Sequence, residues 1–142
     1  MATSVVFSRE GDTDTFDLGH PALEKLVVEY GGLTQEQRAG LPKMLLASSA
    51  LSCYAAMLSA ALEARGIRYA DLKGVAELDV GPNALGHGRV ASVKLHFSLT
   101  LAEADKDVFA RVERIMRNGC LVTASLHDGM EVSYELEPRY HG

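Results

Sequence analysis

Hydrophobic and polar residues alternate in several stretches of this chain, and the alternation predicts strands. Residues 3–8, 13–18 and 24–30 are typical of short strands separated by glycine-containing turns. Residues 69–80 and 89–101 alternate over a longer distance, which predicts a long hairpin with one apolar and one polar face.

Helical signals lie between and after these strands. Thr34 and Gln37 have the spacing of a capping box and predict a short helical turn. Pro42 suits the first turn of the next helix, which we expect to run to about Arg65 and to stop at Gly66.

The C-terminal third contains two further helical segments and a last strand. Residues 103–118 have an apolar stripe at helical spacing, with acidic residues early and basic residues late. Cys120 follows a glycine and opens a segment that we interpret as another short helical turn. Strands grouped as hairpins favour an α+β fold, in a single domain over 1–142. Three residues of the last strand are predicted to face inward, namely Val132, Tyr134 and Leu136.

The long helix also has the length of a membrane span. No residue between Lys43 and Glu63 is charged. This stretch is, however, rich in alanine and serine, and alternating strands follow it instead of further apolar spans. We therefore interpret it as a helix buried at the centre of a soluble fold or across a dimer interface.

Composition narrows the choice of partners and compartment. The 142 residues are 47% hydrophobic and 23% charged, with a formal net charge of −5 and no run of lysine or arginine. These values argue against nucleic acid and an anionic membrane as partners. The N-terminus has neither a basic region nor a long apolar core, so we expect no signal peptide and a cytoplasmic protein. A disulfide formed in the cytoplasm would be transient.

Two cysteines are the main candidates for chemistry. Cys53 lies well inside the long helix, where it is either a small buried hydrophobe or a thiol activated by a cation from elsewhere in the fold. Cys120 opens a helical turn whose free N–H groups favour a thiolate, although a half-buried loop cysteine is an equal alternative. Their spacing matches neither a C-x-x-C redox motif nor a zinc knuckle.

No metal site or nucleotide site is predicted. The histidines do not form a recognised ligand spacing, so we expect no metal. The Gly86-x-Gly88 pair joins two strands and is too short for a phosphate-binding loop. The chain also lacks the G-x-S-x-G motif of serine hydrolases. The five histidines are His20, His87, His96, His127 and His141.

The order of elements and the positions of the cysteines resemble the OsmC/Ohr family over residues 24–137. Pro42 opens a long helix eleven residues before Cys53, as in that family. The segment 120–123 occupies the place of the family's second cysteine, and the glycines at 31–32 match a glycine pair before the helix.

This resemblance implies a fold, an activity and roles for both thiols. The fold would be an intertwined α+β homodimer with antiparallel sheets wrapped around the long central helices. The activity would be reduction of organic hydroperoxides, with Cys53 as the peroxidatic cysteine and Cys120 as the resolving cysteine. No bound cofactor is expected, and an external dithiol would restore the thiols.

One position departs from the family pattern. OsmC/Ohr enzymes carry a glutamate directly after the helix-opening proline, paired with an arginine that stabilises the thiolate, whereas this chain has Lys43. The candidates for a thiolate-stabilising cation are therefore Arg38, Arg9 and Lys43, the last acting on a partner subunit's site.

A non-enzymatic function remains as the alternative. The protein would bind a small lipophilic ligand in a dimer-interface crevice, and Cys53 would be buried and unreactive. The separation of the two cysteines discriminates the hypotheses, because a disulfide needs Cα atoms within about 7 Å. The crevice would be lined by Met44, Leu51, Met57 and Leu58.

Overall fold

A computed structural model describes residues 2–142, which form two compact units. One unit extends through Leu41 and the other begins at Pro42. Each contains one three-stranded sheet together with helices. The predicted α+β class is confirmed.

The first unit is an antiparallel sheet followed by a helical turn. Its strands are β1 (Val6–Glu10), β2 (Thr13–His20) and β3 (Leu23–Glu29), in that order across the sheet. Helix α1 (Gln35–Arg38) follows. The tight turn between β1 and β2 contains a single left-handed glycine, as the sequence predicts.

The capping box at the start of α1 is confirmed. The Thr34 hydroxyl accepts a hydrogen bond from the Gln37 N–H at 3.2 Å, and the Gln37 side chain accepts one from the Thr34 N–H at 2.9 Å. Strand β1 begins later than predicted, because its pairing with β2 ends at Val6 opposite Asp17. Residues 3–5 therefore lie outside β1.

The sheet of the first unit leaves many apolar side chains exposed. Phe7 packs on Phe16 with ring centroids 5.2 Å apart, yet Phe7 remains half exposed. A sheet that keeps this much apolar area in water gains little from burial within one copy. The other large exposed hydrophobic residues of this sheet region are Val5, Val6, Leu23 and Val27.

The second unit places a long helix, two shorter helices and a sheet around the main core. Its sheet has the order β4-β5-β6. Its elements are α2 (Leu41–Glu63), β4 (Tyr69–Pro82), β5 (Gly88–Ala102), a 3-10 turn (Glu103–Asp105), α3 (Lys106–Met116), α4 (Leu121–His127) and β6 (Glu131–His141).

Helix α2 buries one face, whose residues recur at every fourth position. Ala50, Tyr54, Leu58 and Leu62 are almost completely buried. Gly66 ends the helical segment with φ of 68°, in the left-handed conformation expected of a glycine C-terminal stop. The predicted extent of this helix is confirmed to within about two residues.

The Tyr54 ring connects this helix to the sheet. It stacks on Phe97 of β5 at 5.3 Å and on Tyr134 of β6 at 4.9 Å between ring centroids. The predicted inward face of β5 is fully buried, and three residues of α3 complete the core. These residues are Val93, Leu95, Phe97, Leu99, Leu101, Phe109, Val112 and Met116.

Two details of the second sheet differ from the expectation. Strand β6 runs parallel to β5, because α3 and α4 carry the chain back across the sheet before β6 begins. The expectation of antiparallel sheets therefore holds for the first sheet and for β4 with β5 only. Val80 continues the apolar alternation of residues 69–80 but is exposed, because the register between β4 and β5 shifts between Asp79 and Val80.

The helical stretch Gln35–Glu63 is long and apolar enough to cross a membrane by length and composition. Only 22% of its most apolar part is buried within one copy. The buried part packs in the core of the second unit through Tyr54, Leu58 and Leu62.

Candidate thiol site

Helix α2 sets the position of Cys53. The next residue, Tyr54, is fixed between two aromatic rings, so the rotation of the helix about its axis is determined there. Cys53 consequently lies at the edge of the buried face, where it is partly exposed and packs against the core.

The end of α3 sets the position of Cys120. Gly119 stops α3 with φ of 75°, and Cys120 becomes the N-cap of α4 with only 4% of its surface exposed. The Thr123 hydroxyl accepts a hydrogen bond from the Cys120 N–H at 2.9 Å. In return, the Thr123 N–H is directed at the Cys120 sulfur. This is a capping box in which a thiol takes the place of the usual hydroxyl.

The two thiols lie close together, although they are far apart in the sequence. Each of them contributes to the shift in the other's pKa. The N–H groups of Leu121 and Val122 are also directed at the Cys53 sulfur. The first turn of α4 therefore supplies hydrogen-bond donors to both sulfurs.

The surroundings of the two thiols shift their pKa values in opposite directions. Burial raises the pKa of Cys53, and the neighbouring Cys120 raises it further. Burial would also raise the pKa of Cys120, but hydrogen bonds from the Thr123 hydroxyl and nearby N–H groups, together with the neighbouring Cys53 thiol, lower it below the ordinary value. The charge of the pair is thus best stabilised on Cys120.

A tyrosine extends the hydrogen-bonded group away from the sulfurs. The Tyr134 hydroxyl donates to the Thr123 hydroxyl at 2.9 Å, and the Thr123 hydroxyl lies 3.3 Å from the Cys120 sulfur. Thr123 is completely buried. We call Tyr134, Thr123, Cys120 and Cys53 the thiol–hydroxyl chain.

Sequence reasoning missed Thr123 and Tyr134 as site residues. Thr123 stands three residues after Cys120, the spacing of a capping box, and that signal could have identified it. Tyr134 carried no signal beyond its inward position on β6.

A cavity of about 230 Å³ opens beside Tyr134, lined by Arg117, Asn118, Ala124, His127, Val132 and Tyr134.

Lys43 lies in the first turn of α2, whereas Cys53 lies near the middle of this helix. Lys43 is exposed and precedes Cys53 by ten residues, a distance of about 15 Å along the helix axis. Within one copy it therefore does not reach the sulfur, and its predicted role requires the site of a partner subunit.

Arg9 and Arg38 belong to the first unit, and each is paired with an aspartate there. Arg9 makes two hydrogen bonds to Asp14, and this pairing lowers the pKa of Asp14. Arg38 donates to Asp12 and to the Leu33 carbonyl, both at 3.2 Å. Their roles as thiolate-stabilising cations remain predictions.

One of the residues predicted to line the ligand crevice lies elsewhere in the structure. Leu58 is fully buried in the core, so it cannot line a surface crevice. Met44 and Met57 are exposed, whereas Leu51 packs partly against the core.

The histidines are dispersed. Between residues 2 and 142, no three His, Cys, Asp or Glu side chains are grouped so that they could hold a metal ion. His96 pairs instead with Glu137 at 2.8 Å on the exposed face of the second sheet.

The fold and the site together define a class of protein: a small α+β protein in which a cysteine of a long helix meets a cysteine at the start of a short one. A family model described as OsmC-like protein matches residues 35–135 of this sequence. The chain belongs to the OsmC-like protein family, so the resemblance found in the sequence is confirmed.

Solved structures agree with this assignment. An OsmC-like protein of unknown function from Vibrio cholerae is 12% identical, with 96% of this chain and 99% of that chain covered and a TM-score of 0.75. An OsmC-like protein from Mycoplasma pneumoniae is 12% identical, with 99% of each chain covered and a TM-score of 0.74. An organic hydroperoxide resistance protein from Elizabethkingia anophelis is 17% identical, with 97% and 98% covered and a TM-score of 0.63.

Identities this low establish a shared fold and leave the activity open. A comparison with curated proteins returns no match. The function has therefore to be argued from the residues of the thiol site.

Proposed function

We propose that this protein reduces organic hydroperoxides with the thiols of Cys53 and Cys120. The observation that carries the proposal is that these two thiols lie close enough inside an OsmC-like fold to shift each other's pKa. A neighbouring pair of thiols can pass through a sulfenic acid to a disulfide.

In the proposed reaction Cys53 attacks the peroxide first. Its sulfur forms a bond to the terminal peroxide oxygen, the O–O bond breaks, and an alkoxide leaves and is protonated to the alcohol. Cys53 is now a sulfenic acid. The Cys120 thiolate then attacks the Cys53 sulfur, the S–S bond forms, and hydroxide leaves and is protonated to water. The thiols are oxidised by two electrons and the peroxide is reduced by two.

The difference in exposure of the two cysteines supports this division of roles. Cys53 is partly exposed, as a thiol that meets an external peroxide must be, while Cys120 is 4% exposed. Closing the disulfide requires the two sulfurs to approach to an S–S bond length of about 2.05 Å. An external dithiol then restores both thiols, which needs no bound cofactor.

The assembly belongs to the same proposal. Helix α2 carries a row of small or apolar exposed residues, and the first sheet exposes a further apolar face. A second copy of the chain that covers both surfaces would form a homodimer and remove this apolar area from water. We place the dimer in the cytoplasm, where reduced thiols persist. The exposed residues of α2 include Met44, Ser48, Ser52, Ala56, Met57 and Ala60.

The direct test is a thiol count before and after one equivalent of cumene hydroperoxide is added to the reduced protein. The wild type should lose both thiols rapidly and form an internal disulfide. Cys120→Ser should stop at a sulfenic acid on Cys53, which a sulfenic-acid reagent would trap. Cys53→Ser should keep the thiol of Cys120.

The thiol count also decides against the proposal if the chemistry is absent. Both thiols persisting in the wild type would refute the peroxidase function and leave the ligand-binding alternative. Light scattering of the same samples tests the homodimer independently, since a monomer at micromolar concentration would contradict it.

A further inference from the structure

The hydrogen bonds around Thr123 decide which way the proton of its hydroxyl points. A threonine hydroxyl can accept two hydrogen bonds and donate one. The Thr123 oxygen accepts from the Cys120 N–H and from the Tyr134 hydroxyl, both at 2.9 Å. Both acceptor positions are therefore filled, and only the hydroxyl proton remains to be donated.

The Cys120 sulfur is the better acceptor for that proton. It lies 3.3 Å from the Thr123 oxygen, a normal length for a hydrogen bond to sulfur. The alternative acceptor, the Cys120 carbonyl, lies at 3.4 Å, which is long for an O–H···O bond. Cys120 therefore accepts a hydrogen bond from Thr123. The nearby Cys53 thiol also lowers the pKa of Cys120.

We propose that Tyr134 and Thr123 hold Cys120 as the proton acceptor of the thiol pair, so that Cys120 acts as the base that activates Cys53. Cys120 is the catalytic residue in this step. Thr123 and Tyr134 are positioning residues, because they act through its sulfur. The base role rests on the peroxidase function proposed above.

The step balances within the pair. The Cys120 thiolate takes the proton of the Cys53 thiol as the Cys53 sulfur attacks the terminal peroxide oxygen. The O–O bond breaks, and the alkoxide that leaves takes this proton from Cys120 to become the alcohol. Cys120 is again a thiolate, ready to attack the sulfenic acid on Cys53.

Few other titratable groups face Cys120 among the described residues. Cys53 and Tyr54 approach from α2 and Tyr134 from β6. Burial raises the pKa of Tyr54, whose hydroxyl donates to the Met116 carbonyl, so this tyrosine stays neutral. Glu113 of α3 raises the pKa of Tyr54 and is not among the groups that shift the pKa of Cys120.

The test titrates Cys120 alone, in the Cys53→Ala background, by the ultraviolet absorbance of its thiolate. Tyr134→Phe removes the hydroxyl but keeps the ring that stacks on Tyr54. Loss of a direct hydrogen bond would raise the titration midpoint of Cys120 by about one pH unit. We expect a smaller rise in Tyr134→Phe, because the Tyr134 hydroxyl acts on the sulfur through Thr123. Tyr69→Phe is the matched control, since the Tyr69 hydroxyl donates to Ser59 outside the chain.

Two substitutions at Thr123 separate its hydroxyl from its packing. Thr123→Val keeps the shape but removes the hydroxyl, and it should raise the midpoint at least as far as Tyr134→Phe does. Thr123→Ser restores the hydroxyl, and its midpoint should return towards that of the Cys53→Ala protein with Thr123 intact. A midpoint unaffected by Tyr134→Phe, or moved equally by Tyr69→Phe, would overturn the proposal.

The base role has its own measurement in the protein with both cysteines. The pH profile of thiol loss with cumene hydroperoxide should move in Tyr134→Phe by the same amount as the titration midpoint of Cys120. A profile that stays in place while the midpoint moves would exclude Cys120 as the base. Absence of thiol loss in every protein would refute the peroxidase function and the base role together, while the titration still decides whether Tyr134 and Thr123 stabilise the thiolate of Cys120.

Discussion

The packing over Gly119 makes one substitution a sensitive test of the site. Gly119 has φ of 75°, and a Cβ atom added there would overlap the Tyr134 hydroxyl and lie 2.7 Å from the Thr123 hydroxyl. Gly66 has φ of 68° at the equivalent position after α2, but a Cβ atom there meets nothing within 4 Å. The two glycines share a backbone conformation and differ only in what surrounds them.

This difference allows the cost of the overlap to be isolated. Gly66→Ala should lose about 1–2 kcal/mol of folding free energy, because an L-residue is strained in the left-handed region. Gly119→Ala has the same strain and must also displace the hydroxyls of Tyr134 and Thr123. Each displaced hydrogen bond contributes about 0.5–1.5 kcal/mol, so Gly119→Ala should lose about 1–3 kcal/mol more than Gly66→Ala.

Urea unfolding followed by circular dichroism measures both variants, at one fixed protein concentration. For a slope of about 2 kcal/mol per molar urea, the midpoint of Gly119→Ala should lie about 0.5–1.5 M below that of Gly66→Ala. Equal midpoints would show that no hydroxyl group packs over Gly119, and the reasoning about the thiol–hydroxyl chain would fail with it.

Three further substitutions test the packing and the charges. Gly74→Ala should lose about 1–3 kcal/mol, because the new Cβ would lie 2.6 Å from the Phe97 ring; an unchanged urea midpoint would contradict this. Leu58→Ala should lose about 2–5 kcal/mol in the same assay, since Leu58 is fully buried, and a loss below 1 kcal/mol would refute that placement. Asp14→Asn tests the pair with Arg9. This pairing lowers the pKa of Asp14, so its stabilisation is complete above about pH 4 and is lost as the pH falls through the lower folded value. The melting temperatures of wild type and Asp14→Asn should therefore differ at neutral pH and converge in acid, and a constant difference would contradict the pairing.

Much of the fold follows from local patterns in the sequence. The inward residues of β5 alternate without interruption, and all five are buried as predicted. Local patterns do not determine how strands pair. The parallel neighbour of β5 and the register shift beside Val80 depend on contacts between distant segments, so alternation alone missed both.

The thiol site was only partly predictable for the same reason. Cys53 and Cys120 were candidates by residue type and by resemblance, but their contact depends on α2 and α4 coming together in space. Thr123 could have been found by its spacing from Cys120. Tyr134 could not, because its hydroxyl reaches Thr123 only when β6 lies beside the core.

Lys43 in place of the family's glutamate is compatible with thiol chemistry if the donors to the sulfurs are neutral. The thiol–hydroxyl chain supplies such donors through the hydroxyl of Thr123 and the N–H groups of α4. A hydrogen bond to a charged group contributes about 1.5–3 kcal/mol, and a bond from a neutral donor to a thiolate belongs to this class. The first turn of α4 provides such donors within one copy of the chain. Salt weakens interactions between exposed charges but leaves short hydrogen bonds in a buried site almost unchanged. The thiolate of Cys120 should consequently keep its stability at high ionic strength, a property that an exposed arginine or lysine could not provide.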